Sequence, residues 1–188
     1  MRILMLGNSF TFFHDMPKML AAILPAEVVA HVRGGASLAD QINPGDALCG
    51  ECLRLLREEK WDYVVLQDQS RGPVCRRESF DQAADALCAM IREQGAQPLF
   101  YATWAYREGS QRLQDTGMSY AEMARGLYTA YHAAAERNGA LIADVGEAFT
   151  AMRSIENVYE DDDFHPNAVG SLLAAQTIAR VIEWAQRG

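Results

Sequence analysis

The sequence predicts an α/β protein: a parallel β-sheet covered by helices on both faces. Three observations carry this. Five short strand-like runs alternate with helix-like runs along the chain. The strand runs are rich in Val, Ile and Leu and apolar throughout, the pattern of strands buried on both faces. Glycine and proline punctuate the helical segments where helix ends belong.

In order, the strands are expected at Arg2–Leu6, Glu27–Val32, Tyr63–Gln67, Pro98–Ala102 and Leu141–Val145. The intervening helices are expected at Met16–Leu24, Asp46–Glu59, Ser79–Gln94, Tyr120–Asn138 and Asn167–Gln186. Gly95 and Gly139 stand where a C-terminal glycine belongs, and Pro166-Asn167 precedes the last helix. That helix reads as amphipathic, with Leu172, Leu173, Ala175, Gln176, Ile178, Ala179, Val181 and Ile182 on a broad apolar side. Strand–helix alternation implies right-handed crossovers. No repeat or linker divides the chain, so a single domain over residues 1–188 is expected.

A chain of 188 residues buries roughly 70% of the surface its unfolded form exposes. Its 17 basic and 25 acidic residues leave a net charge of −8. That argues against nucleic-acid or anionic-membrane partners, because both need a cationic surface. No apolar run reaches the roughly 18–20 residues of a membrane helix, and no signal-peptide pattern opens the chain, so a cytoplasmic protein is expected. Four cysteines, Cys49, Cys52, Cys75 and Cys88, are too few for a disulfide scaffold. Cys49 and Cys52 have CxxC spacing, but they lie inside a helical segment and lack the second pair that zinc needs. They read as reduced structural thiols.

In open parallel sheets, sites form at the carboxyl ends of the strands. The residues there are Gly7-Asn8-Ser9-Phe10-Thr11, Arg33-Gly34-Gly35-Ala36-Ser37-Leu38, Gln67-Asp68-Gln69-Ser70 and Thr103-Trp104-Ala105-Tyr106. After the fifth strand and a short excursion comes Asp161-Asp162-Asp163-Phe164-His165-Pro166-Asn167. Asp162 and His165, three apart before a helix, suit a carboxylate that fixes an imidazole tautomer and leaves Nε2 free to take a proton. Ser9 is the hydroxyl best placed to be activated by it. The N–H groups of Ser9 and Gly35 and the side-chain amide of Gln69 are candidate oxyanion donors. Asn8 and Trp104, with Tyr106, are candidates for substrate contact, and packing is the competing reading for the aromatics. The acids Asp161 to Asp163 read as a helix cap rather than a metal site, since adjacent carboxylates cannot all face one ion. His14, His31 and His132 lack an acid at matching spacing and read as structural.

These residues resemble the SGNH (GDSL-like) hydrolases nearly end to end. The serine block is Gly7-Asn8-Ser9, the glycine block Gly35-Ala36-Ser37, and the final block Asp162-Asp163-Phe164-His165. The Gly7 to Thr11 and Gly34 to Leu38 wording is similar to a bacterial subgroup. The resemblance implies a three-layer α/β/α sandwich with a five-stranded parallel sheet in the flavodoxin-like order 2-1-3-4-5. It also implies ester hydrolysis through an acyl-serine intermediate, with no cofactor or metal. The family's Gly-x-Asn-Asp block is here Gln67-Asp68-Gln69-Ser70, so Gln69 would replace the asparagine of the oxyanion hole. The segment is also similar to Gln-Gly-Glu-Ser of some carbohydrate acetylesterases, which points to a small-molecule or carbohydrate ester, O-acetylated sugars among them. Competing readings are a phosphate- or flavin-binding flavodoxin-like protein, a thiol enzyme using Cys49 and Cys52, and a catalytically impaired carbohydrate binder. Acyl group, alcohol and oligomeric state stay open.

Overall fold

The computed structural model describes residues 1–187. Strands β1 (Arg2–Gly7), β2 (Glu27–Val32), β3 (Tyr63–Leu66), β4 (Gln97–Ala102) and β5 (Leu141–Asp144) form one sheet. Every pairing is parallel, and the order is β2-β1-β3-β4-β5. Order and class are those expected, and the strand bounds differ by one residue at most.

The alternation of side chains along each strand divides the core in two. Leu4, Leu6, Val64, Leu66 and Phe100 face one layer, built by α3 (Leu38–Ile42), α4 (Cys49–Glu58), α6 (Arg77–Glu93) and α8 (Tyr120–Asn138). Ile3, Met5, Val65, Leu99 and Tyr101 face the other, built by α2 (Met16–Ile23), α9 (Val145–Met152) and α10 (Ala168–Ala185). Both faces of each central strand are therefore dry, as its unbroken apolar run requires.

Several expectations need correction. The second long helix begins at Cys49, not Asp46, because Asp46 is held in a turn: its Oδ1 accepts from Leu48 N and from Arg33 Nη1 at 2.6 Å. The third begins at Arg77, two residues early. Leu172 and Gln176 are exposed; α10 instead buries Ser171, Ala174, Ala175, Ile178, Ala179 and Ile182, a narrower stripe in which two isoleucines stand among small residues. Five short helices were unforeseen: α1 (Ser9–Phe12), α3, α5 (Gly72–Cys75), α7 (Gln111–Gln114) and α9. Three of them start on side-chain caps. Asn8 caps α1, Ser110 caps α7, and Ser37 with Asp40 forms a capping box on α3.

Cys49, Cys52 and Cys88 are buried and free, and burial pushes the Cys52 thiol up to about 12. A thiolate at Cys52 is strongly disfavoured, and Cys49 is buried beside it, which counts against the thiol-enzyme reading. Among the described residues, no helix is long and apolar enough to cross a membrane.

Candidate active site

The loop after β1 is held rigidly before any chemistry is asked of it. Asn8 caps α1, its Oδ1 accepting from Phe10 N at 3.1 Å. Its Nδ2 donates to Ala36 O at 2.8 Å and to Asp68 O at 3.2 Å, tying together the loops after β1, β2 and β3. Gln67 Oε1 accepts from Asn8 N at 2.9 Å and from Thr11 Oγ1 at 3.0 Å. A Cβ at position 7 would stand 2.6 Å from both Gln67 Oε1 and Thr11 Oγ1, so a larger residue there would displace the side chains that hold this loop. These contacts aim Ser9, the first residue of α1, at the loop between β5 and α10.

That loop is pinned from both ends. Tyr159 and Pro166 form an antiparallel bridge, Glu160 N donates to His165 O, and Asn167 caps α10 by accepting from Gly170 N at 3.0 Å. Asp162 Oδ1 accepts from His165 N at 3.0 Å and Phe164 N at 3.2 Å, while its Oδ2 lies 2.6 Å from His165 Nδ1. His165 Nε2 lies 2.8 Å from Ser9 Oγ. A carboxylate on Nδ1 selects the tautomer that bears its proton there, so Nε2 can accept from the serine. Partial burial raises the Asp162 carboxyl, but hydrogen bonds from the His165 side chain, His165 N and Phe164 N outweigh it. The net position is below the usual carboxylate range.

The imidazole is enclosed by aromatics. Phe13 stacks on it at 4.2 Å with an interplanar angle of 4°, Phe164 lies at 3.9 Å, and Phe10 meets it edge-on at 5.7 Å. The Phe13 turn is itself fastened by His14 Nε2 to Glu160 Oε1 at 2.6 Å. His14 and His132 therefore both have acids, the latter Asp144 at 2.7 Å, brought from elsewhere in the chain.

Among the described residues, the N–H groups of Ser9 and Gly35 have no partner within the chain. Gly35 adopts φ +73°, a left-handed conformation that turns its backbone in a way a side-chain-bearing residue resists. The Gln69 amide donates to Ser70 Oγ at 3.2 Å and accepts from Arg71 N at 3.2 Å. One N–H of that amide is left over.

Two expected substrate contacts are not at the surface. Trp104 is fully buried, stacked between Phe10 at 4.5 Å and Phe149 at 3.9 Å, and its Nε1 donates to Phe164 O at 3.0 Å. It is a buttress beneath the His165 loop. Asn8 is 2% exposed and its amide is consumed by the loop contacts above, so it positions Ser9 instead of touching substrate. Tyr106 is also buried, at 4% exposure, but it lines a cleft beside the site, with its hydroxyl 2.8 Å from Ser70 Oγ. Asp161 to Asp163 diverge: Asp162 faces His165 and Asp163 pairs with Arg107 at 3.3 Å.

Sequence reasoning missed Gln67, Phe13 and Asp68. The Asp68 carboxyl is almost wholly buried against Gln69 N and Leu38 N, and desolvation pushes it up to about 7 despite those donors. Because the folded state holds this proton at pH values where the unfolded chain has lost it, the group weakens the fold as pH rises from about 4 to 7. The cost above that window is on the order of 4 kcal/mol. Asp68→Asn should therefore flatten the decline in stability between pH 5 and 8, read by urea unfolding at both. A decline as steep as in the parent would show that Asp68 is ionised in the folded state.

With that geometry in hand, known structures are informative. A protein from Slackia heliotrinireducens assigned as an SGNH hydrolase is 40% identical, with a TM-score of 0.91 covering 97% of this chain and 98% of that one. A DUF4886 family protein from Bacteroides uniformis shares the fold at 21% identity and a TM-score of 0.74, covering 96% and 82% of the two chains. Axe2, an acetylxylan esterase from Geobacillus stearothermophilus, does so at 17% identity and 0.68, covering 96% and 93%. No family model and no curated protein matches the chain. At 40% identity over almost the whole of both chains, the chain belongs to the SGNH hydrolases, serine hydrolases that act on ester bonds.

Proposed function

We propose that the protein hydrolyses a carboxylic ester through an acyl-Ser9 intermediate, with His165 as general base and Asp162 as its orienting carboxylate. The observation that carries this is the continuous relay from Asp162 Oδ2 through His165 to Ser9 Oγ, at 2.6 and 2.8 Å. Ser9 Oγ attacks the ester carbon as Nε2 takes its proton. The oxyanion is received by Ser9 N–H and Gly35 N–H, both free of internal partners. The spare N–H of Gln69 is the third donor. His165 then returns the proton to the departing alcohol, and water repeats the sequence to release the acid and regenerate Ser9. Acetyl esters of carbohydrates are the first substrate class to try, given the Gln69-Ser70 segment and the shared fold with an acetylxylan esterase.

Titration with an organophosphonate followed by peptide mass spectrometry tests the assignment. One adduct per chain on Ser9, with parallel loss of ester turnover, is expected. An unlabelled Ser9 in protein that still turns over ester would overturn it. Gln69→Ala should lower kcat by about 10²–10³ with little change in KM, the usual effect of removing one oxyanion donor. An unchanged kcat would assign the third donor elsewhere.

A further inference from the structure

A cleft of about 250 Å³ opens beside the relay, lined by Arg71, Tyr106, Arg112, Asp115 and Thr116. It is one aromatic ring away from the imidazole: the Arg112 guanidinium lies 3.7 Å above the Phe164 ring, and that ring lies 3.9 Å from His165. On its other side, Tyr106 reaches Gln69 through Ser70 Oγ. Arg76 Nη2 lies 3.4 Å from Gln69 Oε1.

The charge here is unbalanced in a chain whose net charge is −8. Among the described residues, Arg71 and Arg112 make no ion pair; Arg57, Arg92, Arg125, Arg180 and Arg187 make none either, and what sets Arg71 and Arg112 apart is that both line a cleft beside the relay. Asp115 is the one carboxylate lining the cleft, and it accepts from Gln111 Nε2 at 2.8 Å. The larger neighbouring cleft, about 360 Å³, differs in kind: its Arg107 and Arg153 are spent on Asp163 at 3.3 Å and Glu108 at 3.0 Å. Guanidinium groups facing a cleft without carboxylate partners are suited to bind a planar or tetrahedral oxyanion.

From this we infer that the preferred substrate is an anionic ester, carrying a carboxylate or phosphate that Arg71 and Arg112 receive while the ester carbonyl lies at Ser9. The inference rests on the serine-esterase reading and adds the substrate's charge to it. Two guanidinium groups near a stacking surface contribute both attraction and orientation. Charge-assisted hydrogen bonds of this kind are worth about tenfold or more in affinity each.

Matched ester pairs test it, one with the charge on the acyl side and one on the alcohol side. Mono-4-nitrophenyl succinate is compared with 4-nitrophenyl butyrate, and acetoxyacetate with ethyl acetate. In at least one pair the anionic ester should have a kcat/KM at least about tenfold higher at low ionic strength, the excess shrinking in high salt. The pair that shows it identifies the side. In Arg71→Gln/Arg112→Gln the anionic-to-neutral ratio should fall at least about tenfold. A ratio near one in both pairs, or one that the double variant retains, would overturn the inference while leaving the esterase reading intact. Thermal shift with succinate against succinamide reads the pocket without turnover. Stabilisation by succinate alone, lost in the double variant, supports the pocket even if no ester is cleaved and the serine reading fails. Equal shifts would refute it.

Discussion

Ser9→Ala is expected to lower kcat for ester hydrolysis by about 10⁴–10⁶ while leaving the thermal midpoint within a degree or two of the parent. The size follows from what the hydroxyl does. Without it there is no acyl intermediate, and the residual rate is what oriented water and the oxyanion donors can achieve. The small structural cost follows from where it sits. Ser9 Oγ is held by His165 Nε2 at 2.8 Å. The loop around it is held by Asn8, Gln67 and Thr11, which the substitution does not touch. Alanine is also a good residue for the first turn of α1. Stopped assays with 4-nitrophenyl acetate and a melting curve on the same sample decide it. A folded variant with parent-like turnover would remove Ser9 from the chemistry.

Asp162→Asn is expected to cost about 10⁴ in kcat at neutral pH. The amide can keep the contacts with Phe164 N and His165 N through its oxygen, so the loop should hold its shape. Its nitrogen, however, would donate to His165 Nδ1 where the carboxylate now accepts. That selects the other tautomer, with a proton on Nε2 facing a serine that must give one up. The pair also has a pH signature. A carboxyl held below its ordinary range contributes stability that is present above that range. This contribution is lost as pH falls through its folded-state value. The amide variant should lack this acid-side component. Loss of turnover without loss of fold, measured by kcat and circular dichroism, is the expected pairing. A variant with near-parent kcat would mean that another group orients His165.

What was legible in the sequence was what depends on neighbours. The strands show themselves because each must be apolar on both faces to lie in the middle of this sandwich, as Ile3 to Leu6 do. Asp162 and His165 show themselves because the turn before α10 brings residues three apart into contact. The short helices do not, because a four- or five-residue helix has no period to read and depends on a cap such as Ser37 with Asp40. Gln67 was invisible for a different reason: its partner Asn8 is 59 residues away, joined only when β1 and β3 pair. Trp104 misled because its place just after a strand suggests a pocket wall; it takes the competing packing role instead, its Nε1 satisfied by Phe164 O within a three-ring stack. The bare N–H of Gly35 was foreseeable from glycine's freedom at a strand end, but the unpaired arginines were not, since pairing is a property of the folded surface.

The proposed nucleophile and its base stand 156 residues apart, one on the first turn after β1 and the other just before the final helix. A ribosome adding about 5–20 residues per second needs roughly 8–30 s to travel between them. Through that interval the nascent polypeptide displays a hydroxyl with nothing to deprotonate it. Any product released early, or clipped upstream of His165, would be inert toward esters however well its sheet had formed. If Ser9 and His165 act as proposed, turnover reports that synthesis has passed His165.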